Sequence, residues 1–253
     1  MKKYICSVFM TFFLLSCDKF NDLFPHPSHE TTAGALSFDG VNDDVRLGDW
    51  FRYQVFTVQF WAKPGTTQNT YANIIDNEHA SFVSWVIQQD IDKTNEYYMG
   101  AGALVYFKLQ ANVWQQVTAV KSKTSLSVYV NGELIDSAPL VSDITYLSSH
   151  TLRLGQWAGG ERAWNGQLDE VRLWNKSLSK AEIQNNMNCQ LTGSEKGLVG
   201  YYRFNQGVIN SDNNTVTTLT DLSGNNHNGI LENFSLTGSN SNWVEGKVTG
   251  TCH

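Results

Sequence analysis

The sequence has few charged residues and no basic cluster beyond its first three residues. Charged residues make up 17% of the 253 residues, and the formal net charge is −6. A nucleic-acid-binding domain needs a concentrated positive field to attract phosphates, so the chain lacks the signature of that class. The same charge argues against bulk attraction of acidic polymers but leaves neutral glycans and proteins open as partners. The low charge and the 12% aromatic content favour a packed extracytoplasmic protein over a disordered one.

Motifs of the common catalytic classes are also missing. Retaining glycosidases need two carboxyl groups that face one cleft, and no E-x-D-x-x-E pattern occurs here. Gly-x-Ser-x-Gly is absent, no CxxC pair suggests zinc, and the six histidines lack the spacing of a metal-ligand pair. Catalysis would therefore need acids brought together from distant strands, and an enzyme is the less favoured interpretation.

No apolar run is long enough to span a bilayer comfortably. The N-terminal "MKKYICSVFMTFFLLSC" instead has the layout of a secretory signal. Its end resembles the bacterial lipobox, in which the cysteine becomes N-terminal and carries lipid, and an ordinary signal peptide is the alternative. We predict a signal peptide at residues 1–17, lipidation at Cys17 and a polar tether at 18–32. The protein would then sit on a bacterial cell envelope, at a periplasmic or surface face, held to the membrane by its lipid anchor only.

Only four cysteines are present, and the signal region accounts for two of them. The other two are Cys189 and Cys252. Because an extracytoplasmic location permits oxidation, we predict that these two form a disulfide.

Residues 33–253 read as short strands separated by turns. "FTVQFWAKPG" alternates apolar and polar positions, and "SLSVYVNGELI" turns at Asn131–Gly132, a strong hairpin signal. One segment, at about residues 179–188, reads as a helix with a Ser179–Glu182 capping box that buries Ile183 and Met187. The pattern predicts an all-β, two-sheet antiparallel sandwich with one short helix.

Several segments together carry a resemblance. "ALSFDGVNDDVRLG", "FTVQFWAKP", "YVNGELI", "NGQLDEVRLWNKSLSKAEI" and "GLVGYYRFNQG" are similar to those of laminin G-like, concanavalin A-like jelly-roll domains of bacterial surface lipoproteins. "TLTDLSGNNHNGIL" resembles a further block that many relatives place first, so residues 198–243 are expected to supply strands that begin the domain elsewhere. Asp44 departs from the family, which often has an aromatic residue there.

The run "GQLDEVRLWN" contains two adjacent acids that need an explanation. By strand parity Asp169 aligns with the core residues Val171 and Leu173, whereas Glu170 faces solvent with Arg172 and is expected to be dispensable. The resemblance implies a structural Ca²⁺, and carboxylates with loop carbonyls suit that ion. We predict a site formed by Asp39, Asp169 and Asp221. The alternative is that these aspartates only close turns, which is the interpretation we give to Asp43.

Aromatic residues on polar strand faces are the remaining functional signal. Trp61 and Tyr129 are candidate stacking platforms for sugar rings, and packing within the sandwich is the alternative. The leading hypothesis is a non-catalytic recognition module that binds a glycan or a surface protein. A concanavalin A-like polysaccharide hydrolase or lyase, with Glu78 or Glu170 as a candidate acid, is the enzymatic alternative, and a purely structural envelope subunit is a third.

Overall fold

A computed structural model of the chain describes residues 34–77, 84–91, 93, 95–146 and 151–252. All of them belong to one compact unit, Thr32–His253. The predicted signal peptide, the predicted lipidation site Cys17 and the predicted tether lie outside the described residues, as does Glu78. Within the described ranges, no helix has the length and apolar character needed to cross a membrane.

The described residues form sixteen strands and one helix. In chain order these are β1 (Gly34–Asp39), β2 (Asp44–Gly48), β3 (Phe56–Pro64), β4 (Asn73–Asp76), β5 (Val86–Gln89), β6 (Glu96–Gly100), β7 (Leu104–Lys108), β8 (Gln115–Lys121), β9 (Ser125–Val130), β10 (Glu133–Pro139), β11 (Leu152–Leu154), β12 (Asn165–Trp174), α1 (Lys180–Asn186), β13 (Leu198–Tyr202), β14 (Thr218–Leu219), β15 (Gly229–Glu232) and β16 (Trp243–Glu245).

The strands form two antiparallel eight-stranded sheets. Sheet A has the order β10-β9-β8-β3-β12-β1-β16, with β13 also paired to β12, and sheet B has the order β14-β15-β2-β11-β4-β5-β6-β7. The late strand β15 pairs with β2, and β16 pairs with β1. The predicted all-β jelly-roll sandwich with one short helix is therefore confirmed.

The core lies between the two sheets because each strand buries one of its two faces. On β3, the alternate residues Phe56, Val58 and Phe60 are fully buried in the main apolar cluster. On sheet B, Tyr97 and Met99 of β6 fill the same cluster. The inner face of each sheet is the one whose side chains belong to this cluster, and the outer face is the opposite one.

Helix α1 covers part of the outer face of sheet A. Ser179 accepts the backbone N–H of Glu182, and the Glu182 side chain accepts the N–H of Ser179, which confirms the predicted capping box. Ile183 is buried and Met187 is half-buried. Ile183 joins a second apolar cluster with Trp174, Leu178 and Tyr201.

Two further local predictions are confirmed. Asn131 and Gly132 both have positive φ, 50° and 77°, as the tight turn between β9 and β10 requires. Cys189 and Cys252 form a disulfide with a Cα–Cα distance of 4.9 Å.

Strand β12 contains a β-bulge at the two acids. Asp169 pairs with Trp61 and Arg172 with Gln59, so two residues of β12 stand opposite one residue of β3. Glu170 takes φ 52°, and strand parity reverses across it. The prediction that Asp169 lies on the core side is therefore wrong: its partner Trp61 belongs to the outer face of sheet A.

The prediction that Glu170 lies on the surface is also wrong. Glu170 and Arg172 are each only 1% exposed, because the segment around α1 covers them. Arg172 donates to the Glu170 carboxylate at 2.6 Å and to the carbonyl oxygens of Asn186 and Cys189. Tyr201 donates its hydroxyl to the same carboxylate at 2.7 Å. The pair forms a buried polar network that ties β12 to the end of the helix.

Candidate functional site

The two outer faces of the sandwich differ in how they are covered. On sheet A, α1 and the C-terminal segment that follows β16 pack over much of the outer face, and they bury Trp61, Gln59 and Arg172. On sheet B, outward residues such as Arg46, Tyr98 and Tyr106 keep part of their surface exposed. The outer face of sheet B is therefore accessible at β2, β6 and β7, where no helix covers it among the described residues.

A row of amide and phenol side chains crosses this outer face. Asn73 of β4 pairs with Gln88 of β5, Gln88 pairs with Tyr98 of β6, and Tyr98 pairs with Tyr106 of β7. Side chains directly opposite one another in paired strands lie side by side. Gln88 donates to the Tyr98 hydroxyl, and the two tyrosine ring centroids are 6.0 Å apart. The row thus runs from two buried amides to the 43% exposed Tyr106.

Two of these amides contain an acceptor that has no hydrogen-bond donor among the described residues. These atoms are Asn73 Oδ1 and Gln88 Oε1, on side chains that are 0% and 3% exposed. A buried acceptor without a donor costs about 1–3 kcal/mol. Both atoms lie below the surface, so the accessible side chains of the row are Tyr98 and Tyr106.

Charged side chains extend the same face toward β2. Arg153 of β11 pairs across the sheet with Asp76 of β4 on one side and with Arg46 of β2 on the other. The carboxylate of Asp44 accepts from both Arg46 and Arg153. Burial raises the pKa of the Asp44 carboxyl, although both arginines oppose the change. The face therefore presents guanidinium groups that are held in place by the Asp44 carboxylate.

An aromatic–arginine cluster borders the row at the start of β4. The Arg162 guanidinium lies over the ring of Trp157, 4.5 Å from its centroid, and over the ring of Tyr71 at 5.1 Å. The loop at residues 155–163 is held against β4, because Asn73 donates its N–H to Arg162 O and Asp76 Oδ2 accepts the N–H of Ala158. The three side chains are half-buried, so they combine order with access.

A recess of about 650 Å³ lies at the other end of the face, beside Tyr98. Its floor includes Val86, Gly100 and Leu104, and its side is formed by Ala138 and Pro139 of β10. Small-molecule sites typically have volumes of about 300–1,000 Å³, with mostly apolar walls and a few polar groups. This recess, the polar row and the aromatic–arginine cluster together form the candidate site.

The residues predicted as stacking platforms lie elsewhere. Trp61 is 6% exposed, donates its indole N–H to Met187 O at 2.8 Å, and has the Lys247 ammonium 5.4 Å from its ring centroid. Tyr129 is half-buried and packs against the apolar cluster under α1. Both lie on the outer face of sheet A beside α1, where Trp61 is buried and Tyr129 is half-buried.

The three aspartates of the predicted calcium site do not share a set of partners. Asp39 accepts the N–H of Val41, Asp169 accepts those of Lys247 and Val248, and Asp221 accepts those of Tyr201 and Ser223. The described residues contain no group of three or more His, Cys, Asp or Glu side chains that could hold a metal ion. Each carboxylate already closes a turn or anchors a strand, so the predicted residues do not fit one shared ion.

Asp169 anchors the C-terminal segment. Its Oδ2 accepts two successive backbone N–H groups, from Lys247 at 2.7 Å and Val248 at 3.1 Å. Burial, together with the neighbouring Glu170 charge, raises the pKa of Asp169 to about 8. A similar carboxyl, Asp43, accepts from Ser241 and from the N–H of Asp39, and burial raises its pKa to about 7. Both acids serve as structural acceptors.

The residues of the candidate site were missed in the sequence, although one signal was present. In "EYYMG" and "LVYFK", Tyr98 and Tyr106 have the parity opposite to the buried Tyr97 and Phe107. Alternation alone thus places these two tyrosines on one outer face. It does not show that the two strands are neighbours, or that this face stays uncovered.

Comparisons with known proteins agree with this fold. The Laminin_G_3 family model, described as "Concanavalin A-like lectin/glucanases superfamily", matches residues 33–184. No curated protein matches the chain. A crystal structure of a candidate carbohydrate-binding protein from Bacteroides ovatus aligns with a TM-score of 0.65 and 18% identity. The alignment covers 79% of this chain and 58% of that one.

Two other solved structures align over a smaller part of the chain. One is domain 4 of the arabinanase AbnA from Geobacillus stearothermophilus in complex with arabinotriose, with a TM-score of 0.48, 18% identity, and coverage of 60% of this chain and 75% of that one. The other is a pentraxin from Limulus polyphemus, with a TM-score of 0.47, 17% identity, and coverage of 61% and 82%.

Proposed function

The chain belongs to the concanavalin A-like lectin and glucanase superfamily, and we propose that it is a non-catalytic glycan-recognition module of a bacterial envelope. The outer face of sheet B is the proposed binding surface. The observation that carries the proposal is the row from Asn73 to Tyr106, bordered by the Tyr71–Trp157–Arg162 cluster. The Bacteroides ovatus structure described as carbohydrate-binding supports the same class of ligand.

The chemistry of this surface suits sugars. The apolar side of a sugar ring packs on aromatic rings, and its hydroxyl groups bind amides and guanidinium groups. Tyr98 and Tyr106 supply the aromatic surface, while the exposed Arg46 supplies a guanidinium group. Since these groups sit on paired strands, their geometry is set before a ligand arrives, and preorganisation lowers the entropic cost of binding.

Binding is tested with two tyrosine variants. In a glycan array followed by calorimetry, Tyr106→Ala should weaken binding of the selected glycan by about tenfold, because it removes an exposed ring from the site. Tyr129→Ala is the matched control: it removes a strand tyrosine on sheet A and should leave the affinity unchanged. If only Tyr129→Ala loses binding, the binding site is at Tyr129, as predicted from the sequence.

The enzymatic alternative is tested on the same glycan. Asp169 and Glu170 point to different partners and are buried, and each carboxylate of the sheet B face accepts from a neighbouring group. We expect no release of reducing sugar by the wild-type protein. If the wild type releases reducing sugar and Glu78→Gln or Glu170→Gln does not, the protein is a hydrolase or lyase and the proposed non-catalytic function is wrong.

The envelope location rests on the N-terminal sequence. We propose that Cys17 carries the lipid and that residues 18–32 tether the domain to the membrane. Cys17→Ser should transfer the protein from the membrane fraction to the soluble fraction of the cells. An unchanged membrane fraction in this variant would contradict lipid anchoring at Cys17.

A further inference from the structure

Part of the outer face of sheet A remains uncovered beyond the helix. At the end of the sheet where β3 finishes and β12 begins, a cavity of about 460 Å³ is present. Its volume falls in the range of small-molecule sites. The side chains that line it come from six separate segments and are mainly polar: Lys63, Trp114, Gln167, Asn210, Ser239 and Glu245.

The floor of this cavity is set by strand register. Gln167 of β12 pairs with Lys63 of β3, so the two side chains stand together on the outer face. Gln115 of β8 pairs with Ala62, and Trp114, one residue earlier, therefore comes beside Lys63. Both Trp114 and Gln167 are half-buried. An aromatic ring and an amide thus flank one lysine on a rigid sheet surface.

One wall of the cavity is the chain that leaves β16, including Glu245. Directly after it, Lys247 and Val248 donate their N–H groups to the buried Asp169 carboxyl. Further along, Gln190 donates its N–H to Gly250 O at 2.6 Å, next to the Cys189–Cys252 disulfide. The hydrogen bonds to Asp169 and the disulfide hold this segment at two points. The wall is therefore ordered without a ligand.

The other wall is a pair of loops tied to each other. Asn242 donates to Ser211 O at 2.8 Å and to Gly238 O at 2.6 Å, and Asn213 donates to Asn242 Oδ1. Asn210 donates its N–H to Trp243 O. Asn210 and Ser239 are thereby held at the rim with their side chains exposed.

From this arrangement we propose that the cavity is a second saccharide-binding site, on the sheet opposite the proposed one, for a neutral, hydroxyl-rich sugar segment. Trp114 provides one aromatic surface, while Gln167, Asn210 and Ser239 provide amides and a hydroxyl. The opposite charges of Lys63 and Glu245 cancel, so the cavity has no net attraction for an anionic or a cationic ligand. A uronate would gain from Lys63 what it loses to Glu245, and burying its carboxylate would add a desolvation cost that a neutral sugar does not have.

The test follows the indole N–H signals of the eight tryptophans by NMR. Trp114→Phe removes one signal and so assigns it. Neutral gluco-, xylo-, manno-, galacto- and arabino-oligosaccharides are titrated into the domain, with oligogalacturonate as the acidic probe. We expect the Trp114 signal to shift with at least one neutral probe and less with oligogalacturonate. Gln167→Ala should weaken that neutral interaction by about tenfold.

Variants on the other sheet separate this proposal from the proposed function. Tyr106→Ala should leave the Trp114 shift unchanged, and unaltered melting of Gln167→Ala shows that its fold is intact. A Trp114 signal that no probe moves, or that only oligogalacturonate moves, overturns the neutral-sugar site, and so does a shift that survives in Gln167→Ala. If binding is lost in Tyr106→Ala and no probe shifts the Trp114 signal, the sheet B site is supported and the second site is overturned.

Discussion

The Glu170–Arg172 pair is enclosed within the protein on every side. The side chains of Arg172 and Glu170 are 2% and 0% exposed, and Tyr201 and two backbone carbonyls supply further hydrogen bonds, while Glu170 Oε1 has no donor among the described residues. Removing one partner of such a pair leaves an uncompensated buried charge, which costs about 3–5 kcal/mol. A pair on the surface has no comparable effect because water replaces the missing partner.

We therefore predict that Glu170→Gln lowers the free energy of unfolding by about 3 kcal/mol or more. The matched control is Glu133→Gln, which breaks the exposed pair with Lys180 and should change stability by at most about 1 kcal/mol. Urea denaturation of both variants measures the difference. Equal, small effects would mean that Glu170 is as dispensable as its sequence pattern indicated.

Asp169 provides a second prediction at the level of one side chain. Asp169→Ala leaves the N–H groups of Lys247 and Val248 without their acceptor and should lower the free energy of unfolding by about 1–3 kcal/mol. Asp169→Asn keeps an acceptor oxygen and should lower it less.

Calcium should change the melting temperature of wild type and of Asp169→Asn by the same amount. A calcium shift that disappears only in Asp169→Asn would show that this residue is a metal ligand.

At the level of the element, helix α1 depends on its N-terminal cap. Glu182 accepts from Lys176 and from the N–H and hydroxyl of Ser179, and these contacts lower its pKa to about 2. The unfolded chain binds the proton at a higher pH than the folded one. The contribution of Glu182 to stability is therefore complete above about pH 4.5 and is lost as pH falls toward 2.

We predict that the stability difference between wild type and Glu182→Gln is largest at pH 5–7 and shrinks steadily between pH 4.5 and 2. Chemical denaturation at a series of pH values measures it. Glu161→Gln, at an exposed loop position, is the control and should show no such trend. A constant difference across the acid range would exclude the cap carboxylate as its source.

Local signals in the sequence predicted several elements correctly. The Asn131–Gly132 turn and the Ser179 cap depend on residues that are neighbours in the chain, so their chemistry is visible there. The bulge in β12 is different, because Glu170 is not a residue that favours positive φ. Its conformation is held by Arg172, Tyr201 and the covering segment, and these are tertiary contacts. Strict alternation consequently assigned Asp169 to the wrong face.

At the level of the whole molecule, the proposed binding site depends on which sheet surface stays uncovered. Trp61 and Tyr129 lie on polar strand faces, as their sequence pattern indicates, but α1 and the C-terminal segment pack on that side. Tyr98 and Tyr106 lie on the other sheet, where nothing among the described residues covers the Tyr106 ring fully. Chain connectivity, and not the alternation within a strand, decides which face is covered. The fold could therefore be predicted from the sequence more completely than the site.

The disulfide holds this covering segment in place and provides the last prediction. Cys189 and Cys252 are 63 residues apart, and a loop of that size contributes about 4 kcal/mol in the chain-entropy model. Dithiothreitol should lower the free energy of unfolding of wild type by about that amount and should not affect a Cys189→Ala/Cys252→Ala variant. Strands β4 to β7 lie outside the loop, so glycan binding that depends on Tyr106 should persist after reduction. Loss of that binding on reduction, with the fold intact by circular dichroism, would place the ligand on the sheet that the disulfide segment covers.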